Sequence, residues 1–595
     1  MCGFYFSNKE SEPNFKLKLD RINHRGPDYT GTHFEDKMCF GHKRLSIIDL
    51  DSRSHQPFIE HNSVMLFNGE IYNFKEIRSD LEKNGFQFKT TSDTEVLLYA
   101  YHFYGKNVVN KLNGMFAFVI YDKKNNSLFG ARDRTGQKPL FYRKQDDIIE
   151  LSSELTPLVN NNFEIDNDAL GEYLLFGTLS SSISLIKGVH KVKPGHFFEY
   201  SFTNNEFIFE EYWRNNNKKE EHNNKTKEEY LKEFEVLLND ATKKRLLSAD
   251  VKTGIFLSGG IDSTLITKYG VQNKTNTDTL SVVFEEGKFN ESKYSTIVAE
   301  KFKTKHKTIV CSLKEVKDFI NNIGEYLDEP MADSSILAQL LISKIARNNG
   351  YKVVLTGDGA DEYFYGYKRY LWMKKILLFK KLKLNKIISK KLLPKKYARY
   401  FDIMSLEGNQ MYDFLMSGLD LKNFNRITKQ IKFYKSSPNK INHWDCADID
   451  KENYLVNDIN IKVDRATMAF SIEARSPFLD YRILEFANKL PNKFKMEGKE
   501  QKHLLKELIR HDFDNSFIDR KKQGFGVPLG RWLQDDFYTD LENTIENNFR
   551  LISNYFDKLY LQNLLKELKQ GNFNNHHILW RIFILLKWYE RMKKV

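Results

Sequence analysis

The sequence predicts two domains of different class. An N-terminal α+β half is built on layered antiparallel sheet, and an α/β half follows with a doubly wound parallel sheet and a helical extension. Three observations carry this. Residues 2–213 read as short apolar strands broken by turns, with sparse helices. Residues 228–595 begin with apolar strands that alternate with helix-length segments, the pattern of crossover connections between parallel strands. Between them the polar run 214–227, RNNNKKEEHNNKTK, has no apolar period and reads as a linker.

In chain order, the spacing predicts strands over Cys39–Leu50, Ser63–Phe67, Gly114–Asp122 and Ser127–Arg132, and helices over Phe74–Asn84 and Asp93–Tyr104. After the linker come a helix over Glu228–Leu247 and a strand over Thr253–Leu257 that ends in a glycine turn. Thr279–Phe284 and Lys352–Thr356 are further short apolar strands, and from Tyr370 the pattern is mostly helical. The closing segment Ile578–Met592, with Trp580 and Trp588, has the spacing of a packed core helix.

Composition narrows the function classes. Of 595 residues 41% are hydrophobic, enough for several cores. No run approaches the roughly 18 uninterrupted apolar residues of a membrane span, and the first residues lack a secretory apolar region. A cytoplasmic protein without stable membrane attachment is expected. The net charge of +13 is spread along a Lys-rich chain with no basic-aromatic module, so no nucleic acid is expected as partner. Ten lysines in Lys374–Lys396 suggest a basic amphipathic helix, read as a solvent-facing insertion. Cys2, Cys39, Cys311 and Cys446 have no metal or disulfide spacing. The last three read as packing. Cys2 differs, because removal of Met1 would place a free α-amine, with a pKa of about 8, beside its thiol.

Two glycine loops follow apolar strands. In Gly254-Ile-Phe-Leu-Ser-Gly-Gly-Ile-Asp-Ser-Thr264 the glycines allow close approach of backbone to an anion, and the first N–H groups of the next helix point at it. Asp262 cannot bind phosphate directly, which suggests a magnesium bridge. The second loop, Leu355-Thr-Gly-Asp-Gly-Ala-Asp-Glu362, crowds three carboxylates that are costly together without a cation. In a parallel sheet both would open at the carboxyl ends of strands, towards one ligand.

The string Ser258-Gly-Gly-Ile-Asp-Ser263 resembles the pyrophosphate loop of the N-type ATP pyrophosphatases. The N-terminal half carries Cys2, Asn23-His-Arg-Gly-Pro-Asp28, Gly41-His-Lys-Arg-Leu-Ser46, Phe67-Asn-Gly-Glu-Ile-Tyr72 and Ser92-Asp-Thr-Glu95. Together these resemble the class II glutamine amidotransferase domain of the N-terminal-nucleophile type. The pair resembles the glutamine-hydrolysing asparagine synthetase family over roughly residues 2 to 540. The resemblance implies Cys2 as nucleophile with Asn68 and Gly69 as oxyanion donors, and Arg44, Asn68, Glu70 and Asp93 as the glutamine site. It implies ATP at Leu257, Ser258, Gly259, Gly260, Asp262, Ser263, Val282, Thr356 and Gly357, with Mg2+ on Asp262 and Asp361.

The segment Val463–Asp480 and the dipeptide Gly498-Lys499 extend the likeness. They imply Lys499 and Asp358 as catalytic groups, and Asp358, Arg465, Glu473 and Arg475 on the acceptor side. The best-known members carry Glu where this chain has Asp358 and Lys where it has Arg465. Lys521-Lys-Gln-Gly-Phe-Gly-Val-Pro528 resembles a branch that includes amidotransferases for sugar carboxylates. The substrates expected are glutamine and aspartate, with a uronic acid as the alternative acceptor, and a homodimer is compatible with the reading. A non-catalytic glutamine- or nucleotide-binding relative, or a cyclase of the β-lactam type, is disfavoured by intact Cys2, Asn68, Asp262, Asp361 and Lys499.

Overall fold

The structure, a computed structural model, describes residues 2–215, 225–284, 292–383, 395–418, 421–428, 439–520 and 528–595. Two six-stranded antiparallel sheets face each other in the N-terminal half. One runs in the order Val189–Lys191, Phe141–Gln145, Ile148–Ser152, Gly3–Ser7, Met38–Arg44, Tyr29–Glu35. The other runs Glu206–Glu211, His196–Ser201, Ser127–Arg132, Gly114–Asp122, Ser63–Ile71, Phe58–Glu60. Period-two alternation explains the layers. Phe4 and Phe6 join the core between the sheets with Val64, Leu66, Ala117 and Val119. Tyr5 faces the other way and packs with Phe15 and Leu19 of helix Glu12–Asp20. Helices Phe74–Lys83 and Asp93–Tyr104 cover the second sheet with Ile77, Leu81, Val96 and Leu97. The half is therefore an αββα sandwich.

The strand expected over Cys39–Leu50 stops at Arg44. Of the apolar residues that follow, Leu45 and Ile47 pack instead on Val353 of the other sheet. A segment that closes a seam between domains has apolar residues without belonging to a sheet, and that confounded the reading.

The run over 214–227 lies mostly outside the described residues, at 216–224. Helix Lys227–Leu247 then starts at a capping box, in which Thr226 and Glu229 satisfy each other's backbone N–H groups. Five parallel strands follow in the order Lys305–Cys311, Asp278–Phe284, Thr253–Phe256, Val353–Leu355, Glu473–Arg475. Ile255 and Leu355 face helices Lys227–Leu247 and Ile261–Asn273, whereas Leu280, Ile309 and Val354 face helices Leu313–Asn321 and Ile336–Asn348. Helices on both faces make the sheet doubly wound. Strand order reverses between Thr253–Phe256 and Val353–Leu355, and ligands of such sheets bind at that switch point.

Helices Lys368–Lys381, Asn409–Ser417 and Asp445–Glu452 form a satellite core around buried Asp450, which accepts from Arg369, Tyr370 and Tyr412. The basic stretch at 374–396 falls partly here, and its residues 384–394 lie outside the described ones. Lys368–Lys381 buries Tyr370, Met373 and Ile376 and leaves Leu378 and Phe379 exposed. Among the described residues no helix is long and apolar enough to cross a membrane. Cys39 and Cys446 are buried free thiols; the Cys311 side chain lies outside the described residues.

Candidate active site

Cys2 immediately precedes the strand Gly3–Ser7, next to the end of the strand that carries Asn68, Gly69 and Glu70. Its backbone N–H donates to Asn68 Oδ1 at 3.1 Å. The Asn68 amide nitrogen is fully buried and has no hydrogen-bond partner. A buried donor left unspent is costly, so this one is available to an incoming oxygen. Burial pushes the Cys2 thiol up, and the Leu45 backbone and Arg44 pull it partly back.

Asp93 opens its helix with Ser92 as N-cap, and accepts from the Ile71 N–H at 3.0 Å. Burial pushes its carboxyl up to about 6. Arg44 ends its strand and spends its guanidinium on the carbonyl oxygens of Ile48, Asp49 and Asp51. It thereby braces the 48–51 loop beside the site. Glu70 is buried, and its Oε2 meets Arg475 Nη2 at 2.9 Å while Oε1 has no partner.

At the switch point of the parallel sheet, Gly260 caps helix Ile261–Asn273. Ser258 and Ser263 join hydroxyls at 3.1 Å and tie the turn, whose Gly260 N–H donates to Ser258 Oγ. Gly259 has φ +72°, and a Cβ there would lie 2.7 Å from the Ser295 nitrogen, so the turn requires glycine. Arg520 donates to the Gly259 carbonyl at 2.7 Å and lies over the Tyr294 ring. Leu257 is core and can offer a ligand only backbone. The Val282 side chain is likewise buried. Thr356, Gly357 and Asp358 leave the neighbouring strand, and Gly357 approaches so closely that a Cβ would lie 2.9 Å from Asp262 Cβ.

Asp262 and Asp361 converge from these two loops on one ammonium, that of Lys502. Its Nζ is 2.6 Å from Asp262 Oδ2 and 2.6 Å from Asp361 Oδ1. Gly366 makes room, since a Cβ there would sit 2.3 Å from Lys502 Cε. Two converging carboxylates drawn to a single cation are a donor set that fits magnesium. Lys499, expected here, is instead exposed at the turn of the hairpin Met496–Glu497/Glu500–Gln501. The hairpin ends at Lys502, whose left-handed backbone (φ +55°) turns the chain into the next helix.

The residues expected on the acceptor side lie in different settings. Asp358 is half-buried near Thr356, and desolvation pushes its carboxyl up. Arg465 is committed elsewhere: both of its edges pair, with Asp328 and with Asp464 at 2.8 Å. Asp464 also takes Arg25 of the N-terminal half at 2.9 Å and Lys138 at 3.4 Å. Glu473 and Arg475 pair with each other at 2.6 Å, and Arg475 reaches across to Glu70. A guanidinium this deeply buried must be paired, and the nearest anions line the seam between the domains. These three charges therefore build the seam. The Lys521–Val527 string lies outside the described residues.

The seam is not solid. A cavity of about 20 Å3, large enough for one water-sized molecule, is lined by Gln137 and Lys138 from the N-terminal half. Thr356, Asp358, Asn460, Val463 and Ser476 line its other side. Sequence reasoning singled out Thr356 and Asp358 but not Gln137, Lys138 or Asn460, nor Lys502, Arg520 and Lys462, because none of these belongs to a local string that marks it.

The sequence matches two families end to end: Glutamine amidotransferase domain over residues 1–213 and Asparagine synthase over 233–590. It is 32% identical to glutamine-hydrolysing asparagine synthetase 1 of Bacillus subtilis (strain 168), covering 99% of this chain and 96% of that one. Asparagine synthetases 3 and 2 of the same organism are 29% and 28% identical, over 88% and 86% of this chain and 87% and 68% of theirs. A thiol beside an unspent amide, a two-carboxylate glycine-loop site and these matches agree: the chain belongs to the glutamine-hydrolysing asparagine synthetase family.

Proposed function

We propose that this enzyme makes asparagine from aspartate, with glutamine as nitrogen donor and ATP as activator. Once Met1 is removed, the α-amine of Cys2 takes the thiol proton and the sulfur attacks the glutamine amide carbon. The oxyanion receives the Asn68 amide and the Gly69 N–H. Asp93 and Glu70 hold the α-ammonium, and Arg44 holds the α-carboxylate with the donors its loop leaves over. Ammonia departs, a thioester remains, and water hydrolyses it to glutamate and free thiol.

In the other half the aspartate β-carboxylate attacks the α-phosphorus of ATP and pyrophosphate leaves. Ser258, the Gly259–Gly260 backbone, Ser263 and Arg520 hold the phosphates, and Lys502 supplies a fixed charge where negative charge builds. Magnesium on Asp262 and Asp361 would screen the phosphate oxygens. Ammonia then attacks the acyl carbon and AMP leaves, with Asp358 positioned to take the surplus proton. Such substrates suit a cytoplasmic enzyme. The observation that carries the reading is the pairing of the Cys2 thiol and the unspent Asn68 amide in one half with the two-carboxylate glycine-loop site in the other; ammonia would pass between them near the small cavity bounded by both halves and by Asp358.

The test is pyrophosphate release with glutamine and either aspartate or a panel of uronic acids, with the amide identified by mass spectrometry. Asparagine should form, and Cys2→Ala should lose it with glutamine but keep it with ammonia. An amidated sugar and no asparagine would move the protein to polysaccharide chemistry.

A further inference from the structure

Beyond the Asp358 loop lies a charged cluster that neither the phosphate chemistry nor the seam uses. Lys462 Nζ lies 2.5 Å from Asp333 Oδ2 and 3.4 Å from Asp458 Oδ1. Lys462 and Asp458 are one turn apart, across the junction of a π-helical turn, Leu455–Ile459, with helix Asn460–Met468. A π turn is an irregular and costly element, commonly kept where side chains must be aimed at a ligand. Asn457 on the same turn is buried and its Oδ1 has no hydrogen-bond partner. The helix continues into the cavity wall: Asn460 and Val463 line it together with Asp358, whose carboxylate also feels the Lys462 charge.

Asp333 is held in place from behind. The Trp580 and Trp588 indoles donate to the carbonyls of Ala332 and Asp328, at 2.9 and 2.8 Å. Arg465 grips the Asp328 carboxylate, and the Ser335 N–H donates to Asp333 Oδ1 at 2.9 Å. The loop that presents this carboxylate is thus fixed before any ligand arrives, as a selective site requires.

We propose that Lys462, Asp333 and Asp458 form the pocket for the amino-acid end of the acceptor. Lys462 takes the α-carboxylate, and Asp333 and Asp458, with the Asn457 oxygen as spare acceptor, take the α-ammonium. One cation flanked by two anions turns its internal ion pair into two pairs when a zwitterion enters. A uronic acid offers hydroxyls and no ammonium, so a carboxylate of it that drew Lys462 away would leave the two aspartates without a replacement cation. This rests on the assignment of the Asp358 loop to the acceptor.

The experiment deletes matching groups on both sides, using ammonia-dependent pyrophosphate release. L-Aspartate is compared with 3-aminopropanoate, which lacks the α-carboxylate, and with succinate, which lacks the α-ammonium. Lys462→Met should raise the KM for aspartate about 10- to 100-fold and leave turnover of 3-aminopropanoate as in the wild type. Asp458→Asn should do the same for aspartate and leave succinate unaffected. Glutamine hydrolysis and the KM for ATP, measured on the same samples, report folding and the phosphate site. Equal losses on aspartate and on the matching truncated acceptor would overturn the proposal, as would a shift confined to ATP. A wild type that amidates a uronic acid and not aspartate would overturn both this pocket and the function above. One that makes asparagine while Lys462→Met and Asp458→Asn behave normally would overturn the pocket alone.

Discussion

Two lysines three residues apart, Lys499 and Lys502, make opposite predictions: the second is buried between Asp262 and Asp361, and the first is exposed at a turn. Lys502→Met removes the ammonium and keeps most of the side-chain volume. That side chain is 8% exposed, and its partners Asp262 and Asp361 are 15% and 13% exposed. Breaking a pair this buried leaves two carboxylates facing each other, at a cost of about 3–5 kcal/mol. Magnesium should offset part of that cost, because the same oxygens are its ligands. In the reaction, loss of one preorganised charge at a developing oxyanion is worth about 2.7–4 kcal/mol, or 10²–10³ in kcat. The assay is pyrophosphate release with saturating ammonia, with glutamine hydrolysis as the internal control. Lys499→Met, at an exposed turn, should stay within about 0.5 kcal/mol of wild type. If Lys499→Met abolished pyrophosphate release and Lys502→Met left it intact, the assignment from geometry would be wrong.

Gly366→Ala places a Cβ 1.8 Å from Asp361 Oδ1 and 2.3 Å from Lys502 Cε; pyrophosphate release should fall about as far as in Lys502→Met, with glutaminase activity retained. The Asp93 carboxyl, pushed by burial up to about 6, must be ionised to hold an ammonium. The glutamine KM of the glutaminase reaction should therefore rise as pH falls through 6, and Asp93→Asn should give a high KM with no such slope. The stability sign is opposite: a folded pKa above the usual 3.8 means the native state holds the proton longer. Burying the ionised form thus costs stability as pH rises between those values, and thermal melts with and without glutamine should show the ligand relieving it.

Much of the architecture was legible because it is written in short-range patterns. Gly114–Asp122 and Ser127–Arg132 have the bounds read from the sequence, since a buried central strand is a continuous apolar run flanked by turns. The glycine loops were legible for a similar reason: a turn that must meet a phosphate tolerates few residues. What stayed hidden depends on contacts distant in sequence. Glu473–Arg475 is a strand of three residues, two of them charged, and nothing apolar marks it. Lys502 was obscured because only the hairpin, through Gly498 at φ +59°, decides which lysine turns inwards. Lys462 and Asp333 are separated by more than a hundred positions and meet only once the C-terminal helix has fixed the loop before Asp333.

The seam is built by charges that resemble acceptor ligands in the sequence. Arg475 has all three guanidinium nitrogens engaged: Nε on Glu473, Nη1 on the Arg245 and Ser248 carbonyls and the Ser248 hydroxyl, and Nη2 on Glu70 across the seam. Its own carbonyl accepts from the Thr356 N–H at 3.0 Å, and the next residue, Ser476, donates to the Asp358 carbonyl at 2.6 Å. A residue beside the thiol and the loop proposed to meet the acceptor are thus two bonded steps apart through one rigid side chain. Buried ion pairs of this kind add little net stability over apolar packing, because desolvation consumes most of the attraction. What such a pair does provide is register, since a planar guanidinium whose edges hold different partners fits in one orientation only. Held in that register, Gln137 and Lys138 face Asp358 across a cavity one small molecule wide.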